Sequence, residues 1–354
     1  MPNPAARSRR DTHAPAPARL RSRLVGMYAL LILANAGAWA WAFLLFHGQP
    51  LLLGTALLAY GFGLRHAVDA DHIAAIDNVT RTLMQRGERP VTVGFFFALG
   101  HSSVVLLAAA AIAATTTALA DRFGEMRNLG GGVGTLVSAL FLFAIAGANM
   151  IILRSVWRTW RHVRAGGAYV DEDLNALLNG RGLLARLFRP LFRLVGRSWH
   201  MFPLGFLFGL GFDTATEISL LGVSATQAGQ GMPVWSIMVF PALFAAGMAL
   251  VDTTDGVLML GAYQWAFIKP VRKLYYNLII TLVSVVMAVL IGGIEVLGLV
   301  ADKWALQGSF WTAVGGLNDH MNTLGFAVIG VFVLAWAGSV IVYRYRALDG
   351  PTPD

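Results

Sequence analysis

Hydrophobic residues come along this chain in long charge-free runs, not in the short alternations of a soluble fold. Residues 24–46, 90–120, 128–153, 274–294 and 321–343 hold no Asp, Glu, Lys or Arg. Each reaches the roughly 20 residues that cross a bilayer as an α-helix. Between them lie apolar segments interrupted by isolated charges. Together they predict an all-α polytopic membrane protein with eight spans, at 24–46, 51–77, 91–119, 131–153, 201–225, 233–262, 274–299 and 320–343.

Composition agrees. Of the 354 residues 56% are hydrophobic and 13% charged, about half the charge that coats a soluble domain. Cysteine is absent, which excludes disulfides, Fe–S clusters and thiolate metal sites. The net charge of +8 could signal nucleic acid, but its distribution speaks for orientation. With the N-terminus in the cytoplasm, 23 of the 27 Lys and Arg residues fall on the inside, Arg81 among them. Three fall outside and Arg65 lies within span 2, a bias that follows the positive-inside rule. Both termini are therefore expected in the cytoplasm, with no nucleic-acid partner.

Residues 1–23, rich in Pro, Ala and Arg, read as a disordered basic tail. Residues 24–46 are too long for a cleaved leader. The expected transporter domain covers 24–346, with an Arg-rich cytoplasmic loop at 154–200 lying against lipid headgroups and a short tail at 347–354. Phe62-Gly63-Leu64 in span 2 has a counterpart in Phe208-Gly209-Leu210 of span 5. Phe97-Ala98-Leu99-Gly100 in span 3 likewise resembles Phe244-Ala245-Ala246-Gly247 in span 6. Spans 2–4 and 5–7 would then form an inverted repeat, a frequent plan of secondary transporters.

Charges at bilayer depth locate the chemistry, because each costs roughly 2.5–3.5 kcal/mol on insertion scales. Span 2 carries Arg65, His66, Asp69, Asp71, His72 and Asp77; span 3 carries His101. Asp213 and Glu217 lie in span 5, Asp252 and Asp255 in span 6. Glu295, at the end of span 7, reads as a solvated interfacial residue. On an ideal helix His66, Asp69, His72, Asp77 and Arg65 share one stripe and Asp71 falls off it. Either Asp71 faces another helix or the helix unwinds here, which Gly61 and Gly63 would permit. Two imidazoles with carboxylates suit a borderline divalent ion such as Ni²⁺, Co²⁺ or Zn²⁺. The alternative is an Arg65–Asp69–His72 ion-pair cluster that only pins helices.

The run Arg65-His66-Ala67-Val68-Asp69-Ala70-Asp71-His72-Ile73 resembles the HxxxxDH signature of the nickel/cobalt transporter family. Gly94–Ser103, Leu210–Glu217 and Gly247–Gly256 are similar to that family's other signatures. Nearly the whole chain takes part, and the resemblance is closest to the high-affinity nickel permeases of hydrogenase-bearing bacteria. It implies uptake of Ni²⁺, with Co²⁺ as a second substrate, across the inner membrane and without a resident cofactor. His66, Asp69, Asp71 and His72 would then hold the metal. Asp77, His101, Asp213, Glu217, Asp252 and Asp255 would line the path, and Arg65 would form a structural ion pair. An exporter of the same family is the competing reading. No enzyme is expected: His-Glu-x-x-His is absent, as is a phosphate-binding GxxxxGK[ST] loop, so no ATPase subunit is evident in this chain.

Overall fold

The computed structural model describes residues 17–114, 120–165, 196–210, 215–266 and 270–345. Among these residues every regular element is a helix. In chain order they are α1 (Pro17–Phe46), α2 (Pro50–His66), α3 (Ala70–Gln85), α4 (Val93–Ala114), α5 (Ala120–Arg164) and α6 (Met201–Gly209). Then come α7 (Ala215–Gly229), α8 (Val234–Ile237), α9 (Val239–Ala266), α10 (Pro270–Lys303), α11 (Ser309–Asp319) and α12 (Met321–Tyr345).

Five helices are long and apolar enough to cross a membrane. Two bent pairs, α2 with α3 at 51° and α11 with the following helix at 77°, raise that number to as many as seven. Of the predicted fifth span, α6 and α7 are described, while residues 211–214, Asp213 among them, lie outside the described residues. The terminal segments 1–16 and 346–354 and most of the predicted loop also lie outside them. Helix α1 begins at Pro17, so residues 17–23 of the predicted tail are helical. Leucines such as Leu33, Leu44, Leu58, Leu107, Leu290 and Leu334 point outward. An exterior of this kind is at home in hydrocarbon, as expected of a multi-pass membrane protein.

Side-chain pairings fix the relative directions of the helices. Phe46 stacks on Phe240, Asn35 donates to the Ala246 carbonyl, and Tyr28 donates to Thr254, so α1 and α9 run antiparallel. His72 meets Asp252 and Asp77 meets Tyr263, so α3 runs parallel to α9. Ser138 meets Glu295 while Gly292 packs on Leu142, so α5 and α10 run antiparallel.

Glycines let backbones touch where these helices cross. A Cβ on Gly94 would strike the Asp252 carbonyl, and one on Gly63 the Phe244 carbonyl. Gly100 and Gly205 sit in the same way against Phe202 and Phe97 of the facing helices α6 and α4. Small residues that allow such approach are the usual means of helix association in lipid, where hydrophobic burial gives no net drive.

The Gly94→Val variant should therefore unfold at a lower temperature in detergent, with a loss of about 1–3 kcal/mol or more from overpacking. Gly261→Val, at a glycine with open space around it, should unfold like the parent. Thermal unfolding followed by size-exclusion chromatography measures both.

Candidate metal site

Two residues six apart in an unbroken helix stand about 9 Å apart along the axis and point 240° away from each other. His66 and His72 instead lie with ring centroids 4.7 Å apart, because the helix stops between them. Helix α2 ends at His66, and Val68 and Asp69 donate to the Arg65 and His66 carbonyls in tight turns of 3.1 and 2.9 Å. Asp69 is extended at φ −65° and ψ 144°, and α3 starts afresh at Ala70. Gly325 of α12 rests on the Val68 carbonyl at this break, a contact that any Cβ would prevent. Of the two sequence readings for span 2, unwinding is the one observed.

His101 of α4 completes a triangle, with ring centroids 4.8 Å from both His66 and His72. One ligand atom from each imidazole lies within 4.8 Å of the other two. His66 Nε2 faces His101 Nε2 at 2.9 Å. Glu217 of α7 brings Oε1 to 2.9 Å from His101 Nε2 and 3.7 Å from His66 Nε2. The three histidines are no more than 3% exposed. Phe97 stands edge-on to His72 and Phe244 lies against His66, so the walls are dry.

Carboxylates stand behind two of the rings. Asp69 Oδ2 is 2.8 Å from His66 Nδ1, and Asp252 Oδ1 is 3.3 Å from His72 Nδ1. Each fixes ring orientation and turns Nε2 toward the centre, the usual arrangement behind metal-binding histidines. His72 Nε2 is buried without a hydrogen-bond partner. A buried imidazole nitrogen left unpaired costs free energy, and a cation at the centre would satisfy it. The carboxyl end of α2, where His66 sits, adds the negative pole of its helix. Three imidazoles and one carboxylate oxygen, backed by two more carboxylates, can bind a desolvated divalent cation.

The structure thus brings His66, His72, His101 and Glu217 together, with Asp69 and Asp252 supporting them. Asp71 occupies the first turn of α3, half-buried and within electrostatic reach of His66 and His72. Arg65 faces outward, and the carboxylate of Asp69 is bound to His66. Asp77 leaves the predicted stripe. It accepts hydrogen bonds from Tyr263 and, at 2.8 Å, from Ser284, in a second polar cluster toward the far end of α3. Asp255 lies between the two clusters, electrostatically coupled to both Asp252 and Asp77.

One expectation is corrected, and one residue is placed more closely. Glu295 is not a solvated interfacial residue: it is 4% exposed and accepts a 2.9 Å hydrogen bond from Ser138. Arg81, counted among cytoplasmic charges, is 1% exposed inside the helix bundle. Its signal in the sequence was present, since it stands four residues after Asp77 on the same face of α3.

With this geometry established, comparison with known proteins becomes informative. A model of the family of high-affinity nickel-transport proteins matches residues 52–342. The chain belongs to this family. It is 60% identical to a high-affinity nickel transport protein of Cupriavidus necator over 94% of either chain. It is 55% identical to the hydrogenase nickel incorporation protein HupN of Bradyrhizobium diazoefficiens, over 90% of this chain and 83% of that one. A cobalt transport protein, NhlF of Rhodococcus rhodochrous, is 41% identical over 82% of each. No solved structure matches the chain.

In this member of the nickel-transport family, Asp252→Asn should weaken Ni²⁺ binding by about 10–100-fold, the usual cost of losing a carboxylate behind a ligating imidazole. Asp319→Asn, remote from the rings, should bind as the parent does. Calorimetric titration of the purified protein with Ni²⁺ checks both.

Proposed function

We propose that this protein is a secondary permease taking up Ni²⁺, with Co²⁺ as a second substrate, across the inner membrane to supply nickel enzymes. The observation that carries this reading is the buried cluster of His66, His72, His101 and Glu217, in a chain of the nickel-transport family. With metal–nitrogen bonds of about 2.1 Å, ligands at right angles stand about 3.0 Å apart, close to the 2.9 Å between His66 Nε2 and His101 Nε2. Right-angled N/O coordination suits Ni²⁺ better than the tetrahedral habit of Zn²⁺.

Eight spans with both termini in the cytoplasm follow from the positive-inside bias, and the relative helix directions agree with that alternation. Helix α1 leaves the cytoplasm, α9 returns parallel to α3, and α5 and α10 run oppositely, as that topology requires. The inverted repeat gains support in a shifted register. Gly63 on Phe244 and Gly247 on Tyr60 are matched by Gly205 on Phe97 and Gly100 on Phe202. Gly63 and Tyr60 precede their partners Gly205 and Phe202 by 142 residues, and Phe97 and Gly100 precede Phe244 and Gly247 by 147. These contacts favour pairing Gly63 with Gly205 over Gly209, one helical turn from the match read in the sequence. In that register Asp71 corresponds to Asp213.

A divalent cation moving into a negative interior gains roughly 4.6 kcal/mol per 100 mV, enough to drive uptake without nucleotide hydrolysis. The ion sheds water onto His66, His72, His101 and Glu217, held by Asp69 and Asp252 and attracted by Asp71. It then passes Asp255 and Asp77 toward the cytoplasm. Export would have to run against this potential.

Cells expressing the protein should accumulate ⁶³Ni²⁺, with excess Co²⁺ competing strongly, Zn²⁺ weakly and Mg²⁺ not at all. His66→Ala should abolish accumulation while the protein remains in the membrane. Undiminished uptake by His66→Ala, or equal competition by Mg²⁺, contradicts the reading.

A further inference from the structure

Beyond the imidazole cluster, on the side where α3 approaches the cytoplasm in the proposed topology, lies a buried arginine that makes no direct ion pair among the described residues. Arg81 is one of the largest fully buried side chains of the protein. Nη1 donates to Thr281 Oγ1 at 2.9 Å and Nη2 to Asn78 Oδ1 at 3.1 Å. Asn78 also accepts from Asn149 at 2.6 Å, and Nε has no hydrogen-bond partner. Every hydrogen bond of this guanidinium thus goes to a neutral oxygen. Among the described residues no carboxylate stands within salt-bridge distance of it.

Burying a cation without a close anion is costly, and a helix pin needs no charge. A neutral amide or hydroxyl would join α3 to α10 at less expense. Asp77, four residues earlier on α3, feels the Arg81 charge, but its oxygens accept from Tyr263 and Ser284. Asp255 follows toward the imidazoles, with Oδ2 shielded from solvent and free of hydrogen bonds. Counting from the imidazoles toward the end of α3, the order is Asp252, Asp255, Asp77, Arg81. Three carboxylates suited to a passing cation end at a fixed positive charge.

We infer that Arg81 is a tethered-cation gate: its guanidinium closes the cytoplasmic exit to Ni²⁺ by like-charge repulsion, held across the exit by Thr281 of α10 and Asn78. A metal ion advancing to Asp255 and Asp77 meets this charge and leaves only when α3 and α10 separate enough to swing it aside. After release, Arg81 is the positive charge left to offset Asp77 and Asp255 while the path is empty. Arg81 does not touch the metal in the imidazole cluster; it controls departure, not binding. The inference rests on the nickel-permease reading above.

The test uses the full chain in proteoliposomes loaded with ⁶³Ni²⁺, without an imposed gradient of potential. Arg81→Gln should bind Ni²⁺ within about twofold of the parent, since distant sites act independently. It should leak ⁶³Ni²⁺ roughly tenfold faster or more, because charge repulsion across a few ångströms of protein exceeds one decade in rate. Arg81→Lys should restore a tight exit, which a mere loss of packing would not permit. Thr281→Val keeps the charge, loosens its tether, and should raise the leak less; it decides the matter if Arg81→Gln does not fold. Normal binding with an unchanged leak in Arg81→Gln, or an unchanged leak in Thr281→Val in that event, overturns the gate. A parent protein that binds no Ni²⁺ overturns instead the reading on which the gate stands.

Discussion

The metal site depends on one interruption of the backbone, at Ala67, Val68 and Asp69. A continuous helix would hold His66 and His72 about 9 Å apart and facing different neighbours. The break folds them onto each other and frees Asp69 to reach back to His66. Freed backbone groups are expensive at bilayer depth, so the interruption has to be enclosed by protein. Gly325 seats α12 on the Val68 carbonyl, and Gly63 and Gly94 draw α9 against α2 and α4. These close crossings also carry Asp252 to His72. Packing and coordination are two consequences of the same small residues.

Charge is arranged in order along the proposed path. Around the imidazoles, the carboxylates of Asp69, Glu217 and Asp252 offset a divalent ion, while dry aromatic walls from Phe97 and Phe244 strengthen every electrostatic contact. Farther from the imidazoles stand carboxylates alone, Asp255 of α9 and Asp77 of α3. Oxygen sites hold borderline transition ions less firmly than imidazoles do, so in the proposed path affinity would fall toward the cytoplasm. A path that binds selectively first and weakly later can pass its ion onward.

Much of this was legible in the sequence because polar residues are so costly in a membrane. The price of inserting His66, His72, His101, Glu217 and Asp252 singled them out before any helix was placed. Their division of labour was not legible. Whether a carboxylate ligates the metal or stands behind a ring depends on angstrom-scale geometry at the break, and a helical wheel assumes that no break exists. The same assumption put Asp77 and Arg65 on the ligand stripe, whereas Asp77 turns to Tyr263 and Arg65 turns outward. The burial of Arg81 was not legible, because a count of basic residues knows position along the chain and not what packs around it. Glu295 was misread for the same reason, since its burial comes from Ser138 on a distant segment. The glycines were legible as small residues, but which facing backbone each one touches, such as Gly205 on Phe97, needed the folded partner helix.

X-ray absorption at the nickel edge of the purified, Ni²⁺-loaded protein tests the central claim directly. The account predicts scattering from about three imidazole rings with nitrogen and oxygen neighbours at about 2.1 Å, and loss of one ring's multiple-scattering pattern in His101→Ala. A shell of oxygens alone, or a ring count unchanged in His101→Ala, would contradict it.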